Sequence, residues 1–399
     1  MKSLLVLFFI MHLFSASWAA DESVSEEIDS LKRRLTELEQ EVAKPPTKRG
    51  NEYNPRMTVI GDFAGRLDNR VVTNDENREV SNRMTMRELE MDIRGDVDPY
   101  AKAVAITSVS QESPNSNAKI GLEEAYILLT RMPRRTGLKA GKFRTGFGAL
   151  NPVHAHDQPQ TTLHLPIIRF FGEDGTTSEG LSFNYLMPLE RPGQSFNLTM
   201  EVFNAENPVL FSDTADRGMG YLVRGKYFSD LSDQDFIEIG TSMMMGHNDV
   251  IGKQTTYLWG GDFMYKWKAL QPESLWSTLV QGEFFYMNRE DAGVQVQKRN
   301  AWGAYGLVQL QPAQRWYVGG RYDVAQDIAN KYRIDRKIGG YVSFYTTEFL
   351  RFRLGYEYQN TAGPVFGSAA TVGPDLSTVY AQMTFVFGSH PAEPYWVNK

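Results

Sequence analysis

The stretch Leu350-Arg351-Phe352-Arg353-Leu354-Gly355-Tyr356-Glu357-Tyr358 decides the fold of this chain. Its even-numbered positions carry large apolar residues, and three of its odd-numbered positions carry Arg, Arg and Glu. Successive side chains of a β-strand point to opposite faces, so this alternation predicts a strand with one apolar and one charged face. A strand of this kind fits a soluble sheet, whose apolar face meets a protein core, and also a membrane barrel, whose apolar face meets lipid.

The same two-residue period recurs from Arg56 onwards. In the stretch 256–268, aromatic residues such as Tyr257 and Trp267 lie opposite Asp262, Lys266 and Lys268. Aromatic residues at the two ends of one strand are typical of the girdles at both membrane interfaces. The pattern predicts strands at 56–66, 85–95, 99–108, 119–131, 136–143, 178–187, 194–204, 218–228, 234–245, 254–268, 275–287, 299–311, 313–323, 334–346, 349–360 and 377–388.

The connections between these strands alternate in length. The first is long (67–84), the second short (96–98) and the fifth very long (144–177). Long outer loops alternating with short periplasmic turns are typical of up-and-down membrane barrels. We therefore expect an all-β fold, a transmembrane antiparallel β-barrel of about 16 strands over residues 56–388, in the bacterial outer membrane. The even count puts both ends of the barrel on the periplasmic side.

The first nineteen residues have the features of a secretory signal peptide. Lys2 precedes an apolar run from Leu4 to Phe14, and small residues follow, so we expect cleavage after Ala19, or alternatively after Ala20. The run is too short to span a bilayer as a helix, although an N-terminal membrane anchor remains the alternative.

Residues 20–44 show a different period. Apolar residues spaced four and three apart form an a/d seam, which predicts a short periplasmic coiled-coil helix ahead of the barrel. The alternative is an amphipathic helix that packs on its own chain. The seam consists of Val24, Ile28, Leu31, Leu35, Leu38 and Val42. Residues 45–55, rich in Pro, Lys, Arg, Gly and Asn, are expected to form a linker.

Composition excludes several classes of protein. The chain has no cysteine, so it contains neither disulfides nor a lipoprotein anchor. Its net charge of −6 argues against nucleic acid as a partner. No apolar stretch approaches the length of a transmembrane helix. The aromatic content of 12% fits a barrel that contacts outer-membrane lipids.

The entry to the long connection 144–177 carries a family motif. Gly141-Lys142-Phe143-Arg144-Thr145-Gly146-Phe147-Gly148 resembles the G-[Q/K]-F-[K/R]-x-x-F-G stretch of the phosphate-selective porin O and P family, and residues 123–126 are similar to that family too. The resemblance implies a sixteen-stranded porin with a periplasmic coiled coil, a homotrimeric assembly and a loop that folds into the lumen as a constriction. Residues 151–159 depart from the family, so phosphate selectivity does not follow.

Three of the five histidines that follow the signal peptide lie close together in this connection. His154, His156 and His164, with Asp157, offer ligands that suit a divalent ion such as Zn²⁺. One interpretation is a metal site that orders the loop or passes metal through the pore. The other is that these histidines form hydrogen bonds to the barrel wall and that no cofactor is bound.

Charged residues on the predicted polar faces are candidates for the constriction and the lumen. The last third of the barrel is richer in Arg and the first third in Glu, which predicts a cationic wall opposite an acidic one. Such an arrangement could select ions by its local field, or it could simply solvate the lumen. The candidates are Arg144, Arg169, Glu173, Asp174, Arg315, Arg321, Lys337, Arg351, Arg353, Glu88, Glu90 and Asp92.

The function expected from these features is passive diffusion of small hydrophilic or ionic solutes through a water-filled lumen. The alternatives are a channel selective for a solute, with the His/Asp metal site, and a non-conducting structural barrel. A barrel enzyme is disfavoured, because the other histidines, His247 and His390, lie in a predicted loop and in a predicted tail at 389–399. A receptor with a plug domain needs far more chain than the sequence has before the first strand.

Overall fold

The computed structural model describes residues 54–72, 79–110, 118–207, 209–211, 218–248, 254–269, 276–291, 297–362, 375–389 and 394–397. The predicted signal peptide, the predicted coiled-coil helix and residues 45–53 of the linker lie outside the described residues and stay predictions.

Sixteen antiparallel strands form a closed barrel in which each strand pairs with its neighbours in the sequence. The barrel closes where β1 pairs with β16, with Val59 opposite Phe387 and Leu67 opposite Val379. The strands are β1 (Arg56–Asp68), β2 (Arg83–Asp98), β3 (Ala101–Ser110), β4 (Lys119–Leu129), β5 (Thr136–Arg144), β6 (Thr177–Pro188), β7 (Gln194–Asn204), β8 (Met219–Asp230), β9 (Asp235–His247), β10 (Thr255–Lys268), β11 (Ser277–Asp291), β12 (Gln297–Ala313), β13 (Trp316–Gln326), β14 (Ile334–Thr347), β15 (Leu350–Ala362) and β16 (Leu376–Gly388). The predicted sixteen-stranded barrel is confirmed.

On the barrel wall, the charged side chains are buried and many apolar side chains are exposed. On β15, Arg351 and Arg353 are 4% and 3% exposed, whereas Leu354 is 60% exposed. The same inversion occurs on β12 and β13, where Gln309 is buried and Val318 is exposed. Burial of charged side chains beside exposed apolar ones is the reverse of a soluble sheet and matches a wall that faces lipid. We call the face that carries Arg351, Arg353 and Glu357 the polar face.

The connections are short at one end of the barrel and mostly longer at the other. Two-residue turns at 99–100, 314–315 and 348–349 lie at the end where β1 begins, which we call the terminal end. The alternation of lengths fails at one place, since 269–276 is longer than the next connection, 292–296. Arg315 lies in one of the two-residue turns and is exposed, because β13 begins at Trp316 rather than at 313 as predicted.

The longest connection, residues 145–176, has a fold of its own, and we call it the β5–β6 segment. It contains a 3₁₀ turn at Ala155–Asp157 and a helix, α1, at Leu165–Phe171. Helix α1 begins with Pro166 in its first turn and ends at Gly172, whose φ of 93° suits glycine. In the described part of the chain, no helix is long and apolar enough to cross a membrane.

Candidate functional site

The β5–β6 segment is attached at its start to the polar faces of β7, β9 and β11. The backbone N–H of Gly146 donates to Glu201 at 3.1 Å, and that of Leu150 donates to Glu283 at 2.9 Å. Gly148 donates to Ser242 at 3.1 Å and has a φ of +65°. A Cβ at this position would lie 2.1 Å from a Glu283 oxygen, so only glycine allows this close approach.

The middle of the segment covers the arginines of the polar face. Arg351 donates to the carbonyl of His156 at 2.6 Å, and Arg353 donates to that of Gln158 at 3.0 Å. Arg321 donates to the carbonyl of Thr162 at 2.6 Å. Backbone carbonyls of the β5–β6 segment thus occupy guanidinium groups on β13 and β15, where the sequence predicted a cationic wall, and the same strands bury Asp323 and Glu357.

Glu357 is the centre of a buried ionic network on the same wall. Its carboxylate lies 2.9 Å from Arg321 and 3.4 Å from Lys337, and it accepts a hydrogen bond from the Thr162 hydroxyl at 2.7 Å. Lys337, Arg321 and Glu357 are all buried. Buried charges need such partners, because an unpaired ion away from water is strongly destabilising.

His164 attaches the segment to β13. Its Nδ1 lies 2.7 Å from Asp323 Oδ1, and the backbone N–H of Leu165 donates to the other oxygen at 3.0 Å. The ring stacks on Tyr305, with centroids 3.7 Å apart. Complete burial lowers the pKa of the imidazole despite the Asp323 carboxylate, and Nε2 has no hydrogen-bond partner. The ring is therefore neutral, with its proton on Nδ1.

Helix α1 combines an ionic contact with an apolar one. Arg169 pairs with Asp335 on β14 and lies 3.6 Å from Asp327. Phe171 packs edge-on against Phe147, with ring centroids 5.4 Å apart. The apolar cluster formed with the barrel wall includes Phe147, Leu150, Ile167, Phe170, Phe171, Phe203, Leu222, Met244, Leu258, Phe285 and Met287.

Residues of β2 and β4 form an acidic wall around the 3₁₀ turn. His154 lies between two carboxylates, 2.9 Å from Glu124 and 3.1 Å from Glu90. Burial acts to lower the pKa of His154, but contact with Glu124 and Glu90 outweighs it and raises the pKa to about 9. The imidazolium therefore joins the segment to the acidic wall at neutral pH.

A cavity of about 60 Å³ remains between the segment and this acidic wall. Glu88 and Glu123 line it from the strands, and Glu173 and Asp174 line it from the segment. Arg144 contributes the one arginine or lysine of the lining, and its guanidinium donates to the carbonyl of Asp174 at 2.8 Å. The charged groups that line this cavity are thus four carboxylates, the Arg144 guanidinium and the His154 imidazolium.

Residues 394–397 also reach the polar face of the barrel. Trp396 is 1% exposed, and its indole N–H donates to the carbonyl of Asp157 at 2.6 Å. Lys266 donates to the carbonyl of Tyr395 at 2.8 Å. The sequence predicted a tail at 389–399, but it carried no signal for this contact.

The predicted site residues fall into separate groups. Arg144, Glu173, Asp174 and Glu88 share the cavity, whereas Asp92 pairs with Arg94 on its own strand at 2.7 Å.

The histidines proposed as metal ligands are divided between two places. His154 and His156 lie 5.7 Å apart by ring centroid on the acidic wall, and His164 binds Asp323 on β13. Asp157 Oδ2 is 3.7 Å from His156 Nε2. The ligand atoms that do converge belong to Glu88, Glu90 and His156.

The chain was compared with protein-family models and with known sequences. No protein-family model matches the chain. An uncharacterized protein of Aquifex aeolicus is 24% identical over 342 residues, which cover 77% of this chain and 69% of that protein.

Solved structures of outer-membrane channels are similar in fold. The anion-selective porin of Comamonas acidovorans has a TM-score of 0.54 at 10% identity, covering 84% of this chain and 99% of that one. The outer membrane channel DcaP of Acinetobacter baumannii has a TM-score of 0.53 at 13% identity, covering 86% and 99%. A trimer form of Vibrio cholerae OmpT has a TM-score of 0.50 at 9% identity, covering 84% and 100%. The chain has the barrel fold of bacterial outer-membrane porins, which bears out the predicted location in the outer membrane.

Proposed function

We propose that this protein is an outer-membrane porin through which small hydrophilic or ionic solutes diffuse passively. In this account, the β5–β6 segment lies within the lumen and narrows it. The exposed apolar face of the wall then contacts outer-membrane lipids, and the polar face lines the water-filled path.

One observation carries the proposal. The β5–β6 segment contacts polar-face residues on widely separated strands, including Glu124 on β4, Glu201 on β7, Glu283 on β11 and Glu357 on β15. In a closed barrel, one segment can reach walls so far apart around the circumference only from inside. This placement supports a constriction of the kind expected from the sequence.

We further propose that the constriction favours cations. The guanidinium groups of Arg321, Arg351 and Arg353 are occupied by segment carbonyls, whereas carboxylates outnumber cationic groups, four to two, in the cavity beside the acidic wall. Selectivity follows the charges that a passing ion meets, not the net charge of the wall.

A homotrimer is also proposed. It is supported by the predicted coiled coil at 20–44 and by the trimer form of a protein with a similar barrel. The coiled-coil residues lie outside those that the structure describes.

The test is electrical. Purified protein in a planar bilayer is expected to give stepwise conductance, in groups of three if it is a trimer. In a KCl gradient, the reversal potential should have the sign of a cation-selective pore. Glu88→Gln should move it towards zero, and Asp96→Asn, an exposed residue near the end of β2 that pairs with Lys102, should not. A reversal potential of the anion-selective sign would overturn the proposed cation preference.

A non-conducting barrel is the second candidate, because the apolar cluster of α1 and the wall fills part of the interior. Absence of any conductance from folded protein in the same experiment would favour it.

A further inference from the structure

Three ligand atoms converge on the acidic wall. Glu88 and Glu90 are two residues apart on β2 and therefore share a face, and His156 reaches them from the 3₁₀ turn of the β5–β6 segment. One ligand atom from each lies within 4.8 Å of the others. The sequence predicted His156 together with His154, Asp157 and His164, and it could not show that Glu88 and Glu90 face the turn.

Glu90 provides a second, independent observation. It is 2% exposed, and its Oε2 lies 3.1 Å from the imidazolium of His154 but accepts no hydrogen bond of good geometry. The same oxygen points towards the ring of His156, with Nδ1 3.7 Å away. Among the described residues, no Lys or Arg forms an ion pair with Glu88 or Glu90. Two buried carboxylates beside a single imidazolium leave negative charge away from water, and a bound dication would offset it.

We propose that Glu88, Glu90 and His156 bind a divalent transition-metal ion of the zinc class. One imidazole nitrogen and two carboxylates suit Zn²⁺, which takes such ligands at about 2.0–2.2 Å, so the ligand atoms must close in slightly on binding. The adjacent cavity, lined by Glu88 and His154, has room for the water that would complete four-fold coordination. The ion would fasten the β5–β6 segment to β2, next to the path for solutes.

Zinc binding can be measured without any assay of conduction. Untagged barrel in detergent, stripped with a chelator, should take up one Zn²⁺ per chain in equilibrium dialysis with metal analysis. Glu90→Gln and His156→Asn should each weaken binding by more than about tenfold, because even groups that only support metal ligands contribute about 10–100-fold. Asp92→Asn is the matched control, since Asp92 is on the same strand but pairs with Arg94 and is outside the proposed ligand set.

The result that would overturn the site is no zinc uptake, or uptake that Glu90→Gln and His156→Asn leave unchanged. Because the measurement needs no current, a barrel that binds zinc but does not conduct would contradict the proposed function and leave the metal site standing.

A separate observation concerns the residues that follow β16. Trp396 packs edge-on against Tyr317, with ring centroids 5.4 Å apart, and the guanidinium groups of Arg351 and Arg353 lie 5.5 and 5.8 Å from its ring. The Tyr395 hydroxyl donates to Gln281 at 2.7 Å.

These contacts lie near the terminal end of the barrel and span several strands. Tyr317 and Arg351 are each the second residue of their strand, and Gln309 on β12 donates to the carbonyl of Trp396 at 3.2 Å. At the same time, the indole N–H reaches Asp157 in the β5–β6 segment. The four residues thus bridge from the wall to the constriction.

We infer that residues 394–397 are a built-in plug that closes the terminal end of the lumen, an inference that rests on the proposed function. Displacing Trp396 would uncover Arg351, Arg353 and Lys266. The open channel would therefore expose positive charge that the plugged one hides.

The plug is tested by comparing single-channel conductance in three proteins. Trp396→Ala and a variant that stops after Ser389 should each show a several-fold larger conductance than the intact chain. Both should also be less cation-selective. Trp276→Ala, a tryptophan that is 52% exposed, is the matched control and should conduct like the intact chain. A synthetic peptide of residues 391–399 should block the shortened channel from one side of the bilayer only.

Equal conductance in the intact, Trp396→Ala and shortened proteins would overturn the plug. If none of the three conducts, the proposed function fails as well. If only the shortened or substituted channel conducts, the plug stands, and the intact chain is a closed barrel rather than an open porin.

Discussion

At the scale of single residues, the β5–β6 segment is held to the wall by small groups of buried charges. Arg321, Lys337 and Glu357 form one such group, and the Thr162 hydroxyl joins it to the β5–β6 segment. A group of this kind fixes position more than it adds stability, since the cost of burying each ion offsets much of the attraction. Removing one member is different, because the others remain buried without a partner.

Glu357→Gln should therefore destabilise the barrel and change its selectivity. Loss of the carboxylate removes the ion-pair partner of Lys337 and leaves Arg321 only the more distant Asp323, 3.9 Å away, at a cost of about 3–5 kcal/mol. Unfolding by guanidinium chloride in lipid vesicles measures the free energy of unfolding. In a KCl gradient, the reversal potential should shift towards the anion-selective sign. Glu348→Gln, in an exposed turn, is the control. Unchanged selectivity in the Glu357 variant would mean that this group does not face the ion path.

His164 gives a dependence on pH. Burial lowers its pKa in the folded state below the ordinary value of about 6.5, so the unfolded chain binds the proton more readily. The stability that the neutral ring contributes is complete above about pH 6.5 and is lost as the pH falls towards the lower folded value. Unfolding free energies between pH 7.5 and 5 should decline less steeply in His164→Asn than in the intact chain. Equal slopes would contradict the neutral, buried ring.

At the scale of elements, the start of the β5–β6 segment depends on Gly148. With φ at +65° and Glu283 close by, Gly148→Ala should push the segment away from β11 and break the bond from Leu150 to Glu283. We expect a noisier and larger single-channel current. Gly306→Ala is the control, because a Cβ there would meet nothing within 4 Å. If the current of the Gly148 variant has the noise and size of the intact chain, then the start of the β5–β6 segment tolerates a side chain at this position.

Much of the barrel could be predicted from the sequence, because side-chain alternation is a local property. All sixteen predicted strands overlap the observed ones, and β7 has the predicted bounds, Gln194–Asn204. Arg315 was misplaced because alternation continues past a strand end and does not mark where a turn begins.

The partners of the candidate site could not be predicted in the same way. That His164 binds Asp323, or that Trp396 reaches Asp157, depends on barrel closure and on the path of two connections. A local pattern contains no information about either. The sequence predicted many Arg residues in the last third of the barrel, but it could not show that backbone carbonyls occupy their guanidinium groups.

At the scale of the whole molecule, the proposed function makes the barrel a lipid-facing cylinder whose interior is largely occupied by its own chain. Carbonyls of the β5–β6 segment accept hydrogen bonds from arginines of β13 and β15, an apolar cluster packs α1 against β11, and Trp396 is buried beside Arg351. The charged groups that line the cavity beside the acidic wall are four carboxylates, Arg144 and His154. The conducting path should therefore be narrow, and its width should be set by the segment rather than by the barrel.

The most direct test of this account compares the single-channel conductance of the intact chain with that of a variant in which residues 146–175 are replaced by a short Gly-Ser linker. Heat-dependent migration in gel electrophoresis first establishes that the shortened barrel is folded. The account predicts a several-fold larger conductance and a loss of cation preference in the shortened barrel. An unchanged conductance would contradict the claim that the β5–β6 segment narrows the lumen.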